Sequence, residues 1–247
     1  MSIEHPTGST ALVTGGAGGI GSTVARTLAA GGHRVVVAYR SAADAAKELV
    51  AEIEAAGGTA VALRADVTDA DQVAALFADA VRQFGQVDIV VNNAGTMIPR
   101  PLADLTDDVF DKVFAVNVRG ALNVLREAAR RLADGGRVIN ISSTQVAETI
   151  PGSGAYAASK AALEAFGRVA AKELGPRGIT VNSLRVGPTV PGMFSQAPPQ
   201  RQEAMAAASP FQRLGTPQDI ADVISFLAGD GGRWVTGQVI TVDGGAT

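Results

Sequence analysis

The sequence predicts an α/β fold, a parallel sheet wound on both faces by helices, and three observations predict it. Short β-branched runs recur along the chain and are apolar throughout rather than alternating, as strands covered on both faces are. Ala-rich stretches with helical spacing lie between them, and strand–helix–strand alternation at this pitch requires parallel crossovers. The third is size and composition: 247 residues, 47% hydrophobic and 18% charged, supply core material for a sizeable domain. No long linker and no internal repeat divides the chain, so residues 1–247 are expected to form one domain.

Strands are expected at 11–13, 35–37, 60–63, 89–91, 138–141, 179–181 and 239–242. Ile20, Val24 and Leu28 share one helical face and predict the first helix. Leu49 and Ile53 predict the second, and Val73, Leu76, Phe77 and Val81 the third. Longer helices are expected over 109–132 and 156–174. Residues 187–210 break the rhythm with Pro188, Pro191, Pro198, Pro199 and Pro210. They follow the sixth strand, at the sheet end where such folds bind ligands, and are expected to form a lid.

Composition also excludes. The chain has no Cys, which removes a disulfide framework and thiolate metal sites. Lys and Arg number 21 against 24 Asp and Glu, a net charge of -3, which argues against a nucleic-acid partner. The start of the chain is polar, without a secretory signal, and no apolar run is long enough to cross a bilayer. A cytoplasmic protein with no membrane partner is expected, and no metal site.

After the first strand comes Thr14-Gly15-Gly16-Ala17-Gly18-Gly19-Ile20-Gly21, and a helix follows. Glycines permit the tight turn and let backbone N–H groups approach a phosphate, while the helix N-terminus adds partial positive charge. Its place after strand one points to a dinucleotide, and the sheet to a Rossmann fold. The end of strand two selects the cofactor. A carboxylate there would hold a ribose 2′-OH and favour NAD; an Arg would accept a 2′-phosphate. The chain has Ala38-Tyr39-Arg40-Ser41, so NADP is favoured over NAD.

Tyr156 and Lys160 stand four residues apart, on one face of a predicted helix. A phenol near pKa ~10 transfers protons poorly at neutral pH, and a neighbouring ammonium stabilises its phenolate.

With these elements in place the sequence resembles the short-chain dehydrogenase/reductase family, of the one-domain type that includes bacterial 3-oxoacyl-carrier-protein reductases. The resemblance covers about residues 8–246. Thr14-Gly15…Gly19-Ile20-Gly21 resembles the cofactor loop, Asp66-Val67 the adenine-contact pair, and Asn92-Asn93-Ala94-Gly95 the element that steadies the central strand and lines the cofactor. Asn117 falls at the family's catalytic Asn, and Ile141-Ser142-Ser143 precedes Tyr156 by its spacing, so Ser143 matches the catalytic serine. Arg213-Leu214-Gly215-Thr216-Pro217 and Val242-Asp243-Gly244-Gly245 resemble its C-terminal segments.

The resemblance implies a ketone reductase, or in reverse a secondary-alcohol dehydrogenase, acting on a small carbonyl compound. Tyr156 would be the acid or base, Lys160 its electrostatic partner and a ligand of the nicotinamide ribose, and Ser143 the holder of the carbonyl oxygen. Asn117 would bind a water linking Lys160 to solvent. The cofactor would further meet Gly15, Gly18, Gly19, Ile20, Gly21, Tyr39, Arg40, Ser41, Asn93, Ala94, Gly95, Val186, Gly187 and Thr189, and the substrate Gln145, Met193 and Phe194. A homotetramer is implied, with helices 107–132 and 155–174 pairing across one two-fold axis and the C-terminal strand across another.

The chain departs from the family at two places. Gly18 stands where NADP-using members often carry a basic residue, and Val186-Gly187-Pro188-Thr189 replaces the usual Pro-Gly after strand six. Pro188-Thr189…Met193-Phe194 resembles reductases of polyketide naphthols and related cyclic ketones. The competing reading is a redox-sensing NAD(P)-binding protein without catalysis, which the presence of both Tyr156 and Lys160 disfavours. An extended-type epimerase or dehydratase would need a larger C-terminal domain. His5 and His33 suggest neither metal nor acid–base work, Trp234 is expected to pack in the C-terminal region, and Arg126, Arg130 and Arg131 to form a solvated or subunit-facing helix surface.

Overall fold

The computed structural model describes residues 8–148 and 150–247; His5 lies outside them. Seven strands form one sheet in the order β3-β2-β1-β4-β5-β6-β7: β1 (Thr10–Thr14), β2 (Arg34–Tyr39), β3 (Thr59–Arg64), β4 (Val87–Asn92), β5 (Leu132–Ser143), β6 (Thr180–Val186) and β7 (Val239–Val242). Every pairing is parallel. The chain winds outward from β1 to β3, then returns to β4 on the other side of β1. The crevice at the carboxyl ends of β1 and β4 is therefore the topological switch point, where such sheets bind ligands.

The apolar runs become strands because alternate residues serve two separate cores. Ala11 and Val13 face α1 (Gly19–Ala30), α2 (Ala43–Ala55) and α8 (Pro217–Ala228), packing with Val24, Leu28 and Ile224. Leu12 points the other way, to the face covered by α3 (Ala70–Phe84), α5 (Ala121–Arg131) and α6 (Gly154–Leu174), packing with Phe77, Val124 and Leu163. Full burial of each Val, Leu, Ile or Phe among them is worth about 1.5–3 kcal/mol.

Three expectations are corrected. The helix expected over 109–132 is α4 (Asp107–Phe114) and α5 joined by a π-helical turn, Ala115–Gly120. Strand six starts at Thr180 and runs on to Val186, because its polar residues are buried and paired: Asn182 donates to the Val235 carbonyl and accepts from the Gln238 N–H. Trp234 does not pack against the C-terminal region; among the described residues it is 94% exposed. Arg130 and Arg131 are exposed, as expected, but both are tied to the buried carboxylate of Glu127, at 2.8 and 2.7 Å.

Residues 187–210 are structured. Thr189 bridges to Gly215, a 3-10 turn covers Met193–Gln196, and α7 (Pro199–Ala208) follows. Gly215 is anchored in turn by α8, whose N-cap Thr216 accepts from the Asp219 N–H while the Asp219 carboxylate receives both Arg213 nitrogens at 2.7 and 2.8 Å. That pairing, with Arg213 as the largest cause, holds the Asp219 carboxyl well below the usual carboxylate range. The C-terminal segments picked out in the sequence thus brace the wall of the crevice.

Candidate active site

The crevice is a cavity of about 1030 Å³ above the carboxyl ends of the strands. Every cofactor- and substrate-contact residue expected from the sequence lines it, including Ser143, Tyr156 and Lys160. Asn117 stands behind the wall, fully buried.

The floor is the glycine turn. Gly15 has φ +63°, a left-handed conformation, and a Cβ there would press on Asn93 Nδ2 at 3.1 Å and Ala94 Cα at 3.2 Å. The turn is clamped to the end of β4: Asn93 Nδ2 donates to the Thr14 carbonyl at 2.9 Å, and Thr14 Oγ1 accepts the N–H groups of Asn93 and Ala94, both at 3.0 Å. Helix α1 starts from Gly18 with no side-chain cap and no acid in its first turn. Its first N–H groups thus lie uncapped at the wall of the cavity, as an anion site requires. In contrast α3 and α8 are capped by Asp69 and Thr216.

At the end of β2 the Arg40 side chain is exposed and lines the cavity, and among the described residues it forms no ion pair. Asp66 Oδ1 accepts the N–H and hydroxyl of Thr68, at 2.9 and 2.8 Å, fixing the turn that presents Val67. The uncapped helix, the glycine floor and the exposed guanidinium fit a phosphorylated dinucleotide. Across the cavity Thr189 Oγ1 donates to the Gly187 carbonyl at 2.9 Å. Gly187 allows β6 to pass β7, since a Cβ would fall 2.6 Å from Asp243 Cβ.

The reacting end is formed by β5, α6 and the π turn. Ser143 ends β5, and Tyr156 and Lys160 lie on the first two turns of α6, all three buried. Lys160 Nζ donates to the Ile141 carbonyl at 2.8 Å and stands 5.8 Å from the centre of the Tyr156 ring. Burial lowers Lys160 to about 8 and raises the Tyr156 phenol, an effect partly offset by a hydrogen bond with Ser143. Gly95 makes room for this lysine; a Cβ there would sit 3.2 Å from Nζ.

The Asn117 amide is engaged. Its Nδ2 donates to the Thr96 carbonyl at 2.8 Å and to Ser159 Oγ at 2.9 Å, and its Oδ1 accepts the Thr96 N–H at 2.8 Å. Ser159 Oγ in turn donates to the Tyr156 carbonyl at 2.6 Å. Asn117 therefore couples the loop after β4 to the helix that carries Tyr156. Ser159 and Thr96 were not singled out in the sequence, although a serine inside the Tyr–Lys turn was the available signal.

The outer cavity is mostly apolar. Met193 and Phe194 line it as expected, and Met97, Ile98, Ile150 and Met205 join them. No spacing rule marks these four, because they come from separate loops and from α7.

An open parallel sheet with a glycine turn at its switch point and a buried Tyr–Lys–Ser cluster above defines a nicotinamide-dependent oxidoreductase. A family described as Enoyl-(Acyl carrier protein) reductase matches residues 15–247. Versicolorin reductase 1 of Aspergillus parasiticus is 42% identical over 260 residues, covering 100% of this chain and 99% of its own. The crystal structure of a dehydrogenase/reductase from Sinorhizobium meliloti superposes with TM-score 0.94 at 43% identity, covering 99% of this chain and 97% of that one. A short chain dehydrogenase from Burkholderia cenocepacia, in complex with NADP, superposes with TM-score 0.92 at 39% identity, covering 97% and 98%. The chain belongs to the short-chain dehydrogenase/reductase family and is an NAD(P)-dependent oxidoreductase.

Proposed function

We propose that the protein is an NADP(H)-dependent ketone reductase working through Ser143, Tyr156, Lys160 and Asn117. The observation that carries this reading is the gathering of buried Ser143, Tyr156 and Lys160 on the cavity wall, with Lys160 Nζ held by the Ile141 carbonyl 5.8 Å from the centre of the Tyr156 ring. When bound, the nicotinamide supplies a hydride to the carbonyl carbon, or takes one from the alcohol in reverse. Ser143 and Tyr156 both donate to the carbonyl oxygen, and Tyr156 gives its proton as negative charge develops there. Lys160 stabilises the phenolate left behind. Asn117, its amide already engaged, offers its main-chain carbonyl and a remaining Oδ1 lone pair to a water that returns the proton through Lys160. Arg40 and Ser41 hold the 2′-phosphate, and the first turn of α1 holds the pyrophosphate.

The substrate we favour is a cyclic aromatic ketone rather than a 3-oxoacyl thioester. The apolar outer wall and the likeness to a versicolorin reductase support it. Residues 187–210 serve as its lid within a single domain. We place the enzyme in the cytoplasm, as a homotetramer. Exposed apolar side chains support the assembly: Val169 on α6, Phe226 on α8, and Trp234 in the segment leading to the edge strand β7. Light scattering giving a mass near the single-chain 25.0 kDa would refute the assembly.

The deciding experiment is Tyr156→Phe, assayed by NADPH absorbance over a panel of ketones. Turnover is expected to fall about 10²–10⁴-fold while NADPH still binds. Turnover near wild type removes Tyr156 as the acid. A wild-type protein that binds NADPH and reduces nothing in the panel would instead be a redox-sensing binding protein.

A further inference from the structure

Behind the reacting residues, on the sheet face covered by α6, lies a carboxylate that the chemistry above does not use. Glu164 is 2% exposed, one helical turn beyond Lys160. Its Oε1 accepts from Ser142 Oγ at 2.7 Å and from Arg185 Nε at 2.8 Å, and its Oε2 accepts from Arg185 Nη2 at 2.8 Å. Among the described residues Arg185, from β6, is the one charged group within ion-pair distance of it. From β5 it meets Ser142, and on its own helix Lys160 is turned to the Ile141 carbonyl.

Each partner adjoins the site. Ser142 precedes Ser143, and Arg185 precedes Val186, which lines the cavity. Ser142 and Arg185 are also direct cross-strand partners in the ladder, as are Ser143 and Val186. Three elements that carry reacting or cofactor-facing groups therefore converge on one carboxylate. For stability alone, apolar side chains of similar volume would serve as well, because burying the Glu164 carboxylate must overcome its desolvation. What a forked pair adds is direction: two parallel N–H···O bonds fix position and angle together.

We propose that Glu164 is a positioning residue, which by bridging Ser142 and Arg185 locks the ends of β5 and β6 onto α6 and holds Ser143 within hydrogen-bonding reach of Tyr156. The inference rests on reading Ser143 and Tyr156 as the reacting pair. A shift of about 1 Å in such a pair is enough to cost up to 10²-fold in rate.

Two variants test it with cofactor at saturation, NADPH for ketone reduction and NADP+ for alcohol oxidation. Ser142→Ala cuts only the link to β5 and leaves the ion pair intact. The double variant Glu164→Met, Arg185→Met replaces the pair with apolar volume. In Ser142→Ala, kcat is expected to fall about tenfold or more, with KM, NADPH affinity and Tm near wild type. The rising limb of alcohol oxidation should move to higher pH, because the Tyr156 phenolate loses help from a displaced Ser143. The double variant should keep its Tm and lose kcat likewise. Wild-type kcat and pH limb in Ser142→Ala, or wild-type kcat in a double variant that keeps its Tm, would overturn the proposal. If the double variant does not fold, Ser142→Ala decides alone. Tyr156→Phe runs alongside: its retained turnover would reject the catalytic reading, whereas its loss combined with an unaffected Ser142→Ala rejects the positioning role alone.

Discussion

The inner and outer halves of the cavity are built from different materials. The inner half is largely backbone: the glycine turn, the uncapped start of α1 and strand ends held together by Thr14 and Asn93. The outer half is side chain: Met97, Ile98, Ile150, Phe194 and Met205, supplied by separate loops and α7. Backbone geometry tolerates few sequences, because a Cβ at Gly16 or Gly19 meets a backbone carbonyl oxygen at 2.9 Å, and Gly15 is left-handed. A wall of flexible apolar side chains accepts many replacements and only changes shape. Cofactor handling and substrate choice should therefore separate under mutation.

The largest expected separation is at Arg40, one of the few inner contacts made by a side chain. Arg40→Asp removes the phosphate partner and places a carboxylate where a ribose 2′-OH can donate to it. The ratio of kcat/KM for NADPH over NADH should fall about 100-fold, as loss of a charge-assisted bond and a new repulsion imply. The KM of the ketone should stay near wild type. Unchanged cofactor selectivity in steady-state kinetics would show that Arg40 does not read the phosphate.

The same division explains what the sequence disclosed. Glycine spacing, the Tyr156–Lys160 interval and Arg40 at a strand end are one-dimensional signals, and each survived folding as expected. The strands were legible too, since two-sided burial writes unbroken apolar runs. Strand six was read short, because Asn182, Ser183 and Arg185 look like loop residues until their partners in distant segments are known. The π turn at Asn117 left no pattern, since it changes hydrogen bonding without changing composition. Ser142 and Glu164 form an ordinary-looking serine and an ordinary helix carboxylate until β5, α6 and β6 bring them together. Trp234 was misjudged for another reason: a lone Trp reads as core, and this one stands exposed among the described residues.

The converse substitution lies in the outer half. Phe194 is half-buried in the 3-10 turn Met193–Gln196. Phe194→Ala removes apolar contact worth about 1–3 kcal/mol to a fitting substrate, roughly 30-fold in ketone kcat/KM. NADPH affinity, measured by fluorescence titration, should not move. A parallel loss of cofactor binding would mean that this turn also closes over the inner half, and the two halves would no longer be separable.

The smallest expected effect concerns Lys160, which stands where the halves meet. Burial lowers it from its ordinary value of 10.5 to about 8, so raising the pH removes its proton well before the Tyr156 phenol, which burial raises, loses its own. In ketone reduction Tyr156 must begin protonated and end as phenolate, and only the charged form of Lys160 stabilises that end state. Reduction should therefore be near its maximum at pH 7 and decline through pH 8. At pH 9 it should be down about tenfold, because one pH unit above the midpoint leaves about a tenth of the lysine charged. A plateau extending past pH 9, in buffers where NADPH remains bound, would remove Lys160 as the electrostatic partner. A decline that persists in Lys160→Met would assign the titration to another group.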